Sequence, residues 1–311
     1  MNDGWVRPAL ESIIDREPPL GSVVHDALRA GVKLRRRRRA QGVAGSAAVV
    51  AVAAVVVAIP KIAPGNSAAV SGAAPGPATA YVANIGGATI TPISIGNGTP
   101  GRPIRLGNSP VSMTITPDGK TVYVPCILNG AVVPVTTATN KPGRPVKVGG
   151  SPQSVVITPD GKTAYVLTRG THDGQTTDAS SVVPITTATG KPGRPISIGP
   201  FTQAFPAQDM AITPDGKTVF VLSGGPAGTV VPIATATSTA GKPIRVGSSP
   251  TDIAITPDGK TAYVASGSSA GPGWVTPIAT ATSTAGKPIR VGNSPTDIAI
   301  TPDGKTAYVA N

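Results

Sequence analysis

From residue 79 onward the chain runs in short bursts of alternating apolar and polar residues, punctuated by glycine, proline and aspartate. Asp252-Ile-Ala-Ile-Thr and Thr261-Ala-Tyr-Val-Ala are two such bursts, and a period of two predicts strands whose side chains leave on opposite faces. Val275-Thr-Pro-Ile-Ala and Pro288-Ile-Arg-Val follow, so one unit reads as four strands, a to d, in about 43 residues. Thr-Pro-Asp-Gly-Lys joins a to b. Proline presets φ for the first turn position, aspartate bonds the backbone, and glycine takes the left-handed position of a bulged hairpin. A turn explains every residue of the string; a carboxylate site explains only one.

The unit repeats. Thr-Pro-Asp-Gly-Lys-Thr occurs five times, with its turn residues at Asp118 and Gly119, Asp160 and Gly161, Asp215 and Gly216, Asp258 and Gly259, and Asp303 and Gly304. The aspartates are 42, 55, 43 and 45 residues apart, and each turn precedes a strand carrying Tyr123, Tyr165, Phe220, Tyr263 or Tyr308. A sixth such strand, Tyr81-Val-Ala-Asn, opens the series without a turn of its own. Residues 233–265 and 278–310 differ only at Ser248 against Asn293, the mark of a recent duplication. Four strands at this period are one blade of a β-propeller. The chain supplies b, c and d at its start, four full units, then a and b at its end. A five-bladed ring with a spare strand, an open arc and a truncated ring all remain open, and an arc would expose edges for self-association.

Tyr-Val-Ala-Asn, the Thr-Ala-Thr after strand c, the Gly-x-x-Pro before strand a and Thr-Pro-Asp-Gly-Lys together resemble the YVTN-type β-propeller repeats of bacterial and archaeal surface proteins. The resemblance covers residues 79–311 and implies an all-β propeller, commonly closed with seven blades. The sequence departs from that pattern in strand c, where Pro92, Pro134, Pro184, Pro232 and Pro277 stand in place of an apolar residue. Proline cannot donate to a ladder, so strand c is expected to kink there or to begin after it.

A different pattern precedes the repeats. Residues 40–60 carry no charge and are mostly Ala and Val, about the length of a transmembrane helix. Lys33 and Arg35 to Arg39 lie just before it and only Lys61 close after, so the positive-inside rule puts residues 1–39 in the cytoplasm and the propeller outside a plasma membrane crossed once. Secretion after signal cleavage is the alternative, since small residues such as Ser67-Ala68-Ala69 follow. Residues 61–78, rich in Gly, Ala, Ser and Pro, read as a flexible linker to the 79–311 domain.

Charge narrows the function. The net +12 divides into +5 over residues 1–78 and +7 over 79–311, where the bases recur singly among few aromatics, so no nucleic-acid partner is expected. Cys126 is the only cysteine, which excludes an internal disulfide and Cys-rich metal sites; its strand context reads as a small hydrophobe. The exported part has one histidine, His172, and no glutamate. Five of its ten aspartates sit in the turns, and Asp252 and Asp297 belong to near-identical repeats, which suggests structural use. No metal, cofactor or catalytic set is therefore expected, and His172-Asp173 with Asp178 has no ligand spacing.

Variation gathers in the b–c and d–a connections, expected on the rim opposite the Pro-Asp-Gly turns. Arg169, His172, Asp173, Phe201, Phe205 and Trp274 are the ligand-contact candidates there. The reading is a surface binding or scaffold module for protein or glycan. The alternatives are an exported hydrolase of lactonase type, which rests on fold analogy alone, and a truncated propeller without ligand.

Overall fold

The computed structural model describes residues 78–170, 179–200, 207–224, 228–267 and 271–311. These form six antiparallel sheets in chain order. Sheet I holds Thr79–Asn84, Thr89–Ser94 and Ile104–Arg105. Sheet II runs from an inner strand, Thr114–Ile115, through Thr121–Cys126 to Ala131–Thr136. Sheets III, IV and V repeat the plan with inner strands Ser151–Ile157, Ala207–Ile212 and Pro250–Ile255. Their b strands are Thr163–Arg169, Thr218–Ser223 and Thr261–Ser266, and their c strands Ala179–Thr186, Thr229–Ala234 and Pro272–Ala279. Sheet VI has only Asp297–Ile300 and Ala307–Ala310.

The inner strands of sheets III to VI stand side by side from sheet to sheet, so the sheets are arrayed about the side that carries strand a. Asp297–Ile300 pairs with Ala307–Ala310, and Thr79–Asn84 pairs only with Thr89–Ser94. Among the described strands, no ladder joins the last sheet to the first, so the five-bladed closure through strand exchange is not the arrangement found. The span expected at 40–60, with the segments before and after it up to residue 77, lies outside the described residues. Among those described, no helix is long and apolar enough to cross a membrane.

Alternation along strand b separates two seams rather than core from solvent. In sheet II, Val122, Val124 and Cys126 pack with Val133 and Val135 against Tyr81, Ile90 and Ile104 of sheet I. Tyr123, Val132 and Val146 pack the other way, against Val155, Ala164 and Val183 of sheet III. Both faces are therefore buried, which is why these strands carry apolar residues on both sides. Tyrosine hydroxyls add a latch across the first three seams: Tyr81 donates to Asn140 Oδ1 at 2.8 Å, Tyr123 to the Thr187 carbonyl at 3.3 Å and Tyr165 to the Thr235 carbonyl at 3.4 Å.

The strand-c proline sits inside the strand, neither kinking it nor delaying its start. In sheet II, Pro134 lies opposite Tyr123. On its other side the outer strand is split: Lys141–Pro142 pairs with Val135 and Thr136, and Val146–Lys147 with Ala131 and Val132. The missing N–H falls at the gap, where no acceptor waits. The Pro134 carbonyl is still used, accepting from Gly143 at 2.7 Å, and the same bond recurs from Gly101, Gly193, Gly241 and Gly286 to Pro92, Pro184, Pro232 and Pro277. Strand d, read above as one piece, is thus two.

Candidate functional site

The Pro-Asp-Gly hairpins and the c–d turns share one rim. Thr137 Oγ1 donates to the Gly119 carbonyl at 2.7 Å, and Thr187, Thr235 and Thr280 bind Gly161, Gly216 and Gly259 alike. Within each hairpin the aspartate closes the turn: Asp118 Oδ1 accepts from Thr116 Oγ1 at 2.6 Å and from the Lys120 amide at 3.0 Å. The threonine hydroxyl, then the amide, holds the Asp118 carboxyl below its ordinary range, and Asp160, Asp215, Asp258 and Asp303 are held down in the same way. Lys120 reaches Asp118 at 3.5 Å, but both ends are largely exposed and such a pair contributes little. These residues build turns.

Two of the glycines can be told apart by substitution. Gly119 and Gly216 both have φ near +71°, which costs an L-residue about 1–2 kcal/mol. A Cβ at 119 meets nothing within 4 Å, whereas at 216 it would stand 2.9 Å from Pro159 Cδ of the neighbouring sheet. Gly216→Ala should therefore lower the melting temperature more than Gly119→Ala, as measured side by side by circular dichroism; equal losses would mean that the sheet contact is absent.

On the opposite rim the structure describes two of the six ligand candidates. His172, Asp173, Phe201 and Phe205 lie outside the described residues. Arg169, expected in a loop, is the last residue of a b strand and lies opposite Ser151. Its Nε is buried without a hydrogen-bond partner, and burial lowers the guanidinium pKa. Trp274, also expected in a loop, is in strand c opposite Ser266 and beside Arg290. It is 39% exposed and lines a groove of about 590 Å³ between sheets IV and V, with Arg245, Ser248, Thr276 and Lys287 among the other walls. Thr276 and Ser266 fix the far wall by donating to the Val246 carbonyl at 2.9 and 3.2 Å. The positions equivalent to Trp274 in sheets I to IV are Thr89, Ala131, Ser181 and Thr229, all small. Arg169 belongs to another seam and does not line this groove.

A third group went unrecognised in the sequence. Asp209, Asp252 and Asp297 occupy one position of three successive inner strands, six residues before each turn aspartate, where sheets II and III carry Ser112 and Ser154. Ser154 Oγ donates to Asp209 Oδ1 at 2.9 Å, and the Ile298 amide to Asp252 Oδ2 at 2.7 Å. The Asp209 and Asp252 carboxyls neighbour each other, as do those of Asp252 and Asp297. Burial first, then the Asp297 carboxyl, pushes Asp252 up to about 7; burial raises Asp209 also. The constant six-residue offset from each turn aspartate is the signal of this row in the sequence. Cys126 is fully buried and its thiol is pushed up to about 11 by that burial, which suits an inert hydrophobe.

The sheets, seams and inner strands can be set beside solved structures. Hydrazine synthase of Kuenenia stuttgartiensis superposes with a TM-score of 0.64 at 24% identity, covering 74% of this chain and 70% of that one. A functionally unknown protein from Desulfotomaculum acetoxidans gives 0.62 at 22% identity, covering 75% and 72%. Both are propeller-like. The chain has a propeller-like fold. At these identities the likeness speaks for the fold alone. No protein-family model matches the sequence, and comparison with curated proteins finds no match.

As a propeller, the molecule offers two chemically distinct places. The groove between blades IV and V pairs an aromatic face with cations and suits binding. The inner row holds Asp252, whose carboxyl burial pushes up to about 7. Among the described residues no group of three His, Cys, Asp or Glu side chains could hold a metal ion.

Proposed function

We propose that this chain is a membrane-anchored, extracytoplasmic propeller of the YVTN-like kind that binds a protein or glycan, with its ligand seat in the groove at Trp274. One observation carries the reading: a half-exposed tryptophan, flanked by Arg245 and Lys287, stands where the other blades carry small residues. Tryptophan supplies a large rigid contact face at low entropic cost, and with arginine it is enriched among residues that dominate binding energy. The uncharged run at 40–60 with its basic N-terminal flank supports the anchor.

Trp5 and Trp274 are the only tryptophans, so a Trp5→Phe background makes Trp274 a single emission probe. Full-length protein in detergent should change its emission on titration with its glycan or surface-protein ligand, screened from arrays of both. Trp274→Ala should weaken that binding about tenfold or more. Binding that survives Trp274→Ala unchanged would remove the groove from the site.

A second reading is an exported hydrolase working at the inner carboxyl row, favoured by the elevated Asp252. Lactone turnover by the full chain that disappears in Asp252→Asn, with ligand binding at Trp274 intact, is the result that would select it.

A further inference from the structure

We propose that the aspartate row across blades IV, V and VI is a proton-operated fastener, in which shared protons tie the inner strands together and their loss loosens the seams. The proposal is independent of the ligand at Trp274 and of any turnover.

Geometry comes first. Asp209 and Asp252 each reach across a seam: Asp209 takes a hydrogen bond from Ser154 of blade III, and Asp252 takes one from the Ile298 amide of blade VI. Asp209, Asp252 and Asp297 stand at the same position of adjacent inner strands, each carboxyl bearing on the next. Two carboxyls can hydrogen-bond only when one of them carries a proton, since two carboxylates present acceptors alone. Carboxyls at one position of adjacent inner strands favour a proton held between them, and when it leaves, like charges face one another across the seams.

Among the described residues of the surrounding strands, none supplies a compensating cation. Ser151–Ile157 carries no ionisable side chain, and Asp209, Asp252 and Asp297 are the only ones on their own inner strands. The b strands behind them hold Tyr165, Arg169, Tyr263 and Tyr308. Tyr165 points to the turn rim, and the Nε of Arg169 has no partner. Like charges within the row act on one another: Asp297 on Asp209, and Asp209 on Asp252.

The direction of the pH dependence follows by linkage. With Asp252 raised to about 7 in the folded protein and near its ordinary value of about 3.9 when unfolded, the folded state binds more protons between those limits. The stabilisation is full below about pH 4 and is lost as pH rises through about 7. The turn aspartates act in the opposite sense, since their lowered values remove stability as pH falls below the carboxylate range. The full chain should thus be most stable in mildly acidic solution.

The test is thermal melting of the full-length protein in detergent at pH 5 and pH 8, with Asp252→Asn and Asp215→Asn as variants. Wild type should melt several degrees lower at pH 8. Asp252→Asn keeps an acceptor for the Ile298 amide and gains a permanent donor, so it should erase most of that difference. Asp215→Asn, on the turn rim, should leave it intact. Should the asparagine variant fold poorly, hydrogen exchange on wild type decides, after correction for intrinsic rates. Amides of 209–212, 252–255 and 297–300 should lose protection at pH 8 while those of Thr121–Cys126 keep theirs. A wild type equally or more stable at pH 8, a pH difference unchanged in Asp252→Asn, or uniform loss of protection would overturn the proposal.

Discussion

Phe220→Ala should destabilise the propeller by about 3–5 kcal/mol, the range for emptying a large aromatic site in a close-packed core. Phe220 is wholly buried in the seam between blades IV and V, among Leu222, Ile244, Ile253, Val264 and Ile278. Both walls of that cavity are β-sheet, held by their own ladders and little able to collapse inward. The same repeat position in the last blade is Tyr308, 64% exposed, where truncation to alanine should shift stability by no more than about 0.5 kcal/mol. Paired urea titrations of the two variants measure the contrast, and similar losses would show that blade VI is covered in solution. Phe220→Tyr refines the point. Tyr123 and Tyr165 reach the c–d turn of the next blade, and the equivalent carbonyl here is that of Thr280. A tyrosine hydroxyl should find a partner there and be tolerated within about 1 kcal/mol.

Gly228→Ala is the second large effect, at about 1–3 kcal/mol, and its cause is overpacking rather than a cavity. A Cβ on Gly228 would fall onto the Gly247 carbonyl and come within 2.7 Å of Pro250 Cδ. Neither neighbour can swing away, because one is backbone and the other a ring. The Val246 amide donates to the Gly228 carbonyl at 3.0 Å, so relieving the clash would pull apart strands c and d of blade IV. The loss should exceed that of Gly119→Ala, where only the left-handed backbone is at stake. If the two glycine variants melt together, the close approach at 228 is not a feature of the folded protein.

Sheet class, strand spacing and hairpin turns were legible in the residues because each is a local matter. Alternation sets which face a side chain leaves by, and Pro-Asp-Gly can satisfy a tight turn by itself. Errors arose where a residue's surroundings come from elsewhere in the chain. Pro134 looks like a strand breaker until the split outer strand shows that its missing donor has no acceptor to meet. Trp274 and Arg169 looked like loop residues because glycine-rich stretches border them, yet ladder partners at Ser266 and Ser151 extend the strands through both. Asp252 and Asp297 were set aside as duplicated structure, although duplication is what aligns them across a seam.

The order of strands within a sheet, the position of every hairpin and the all-β class are properties of the sequence alone, since they depend on neighbours a few residues apart. Which side chains meet across the seams was decided by the stacking of one sheet on the next. Aspartates more than forty residues apart acquire one another as neighbours, and a tryptophan acquires a groove, because packing removes water and brings distant strands into contact. Neither property exists in a single unit.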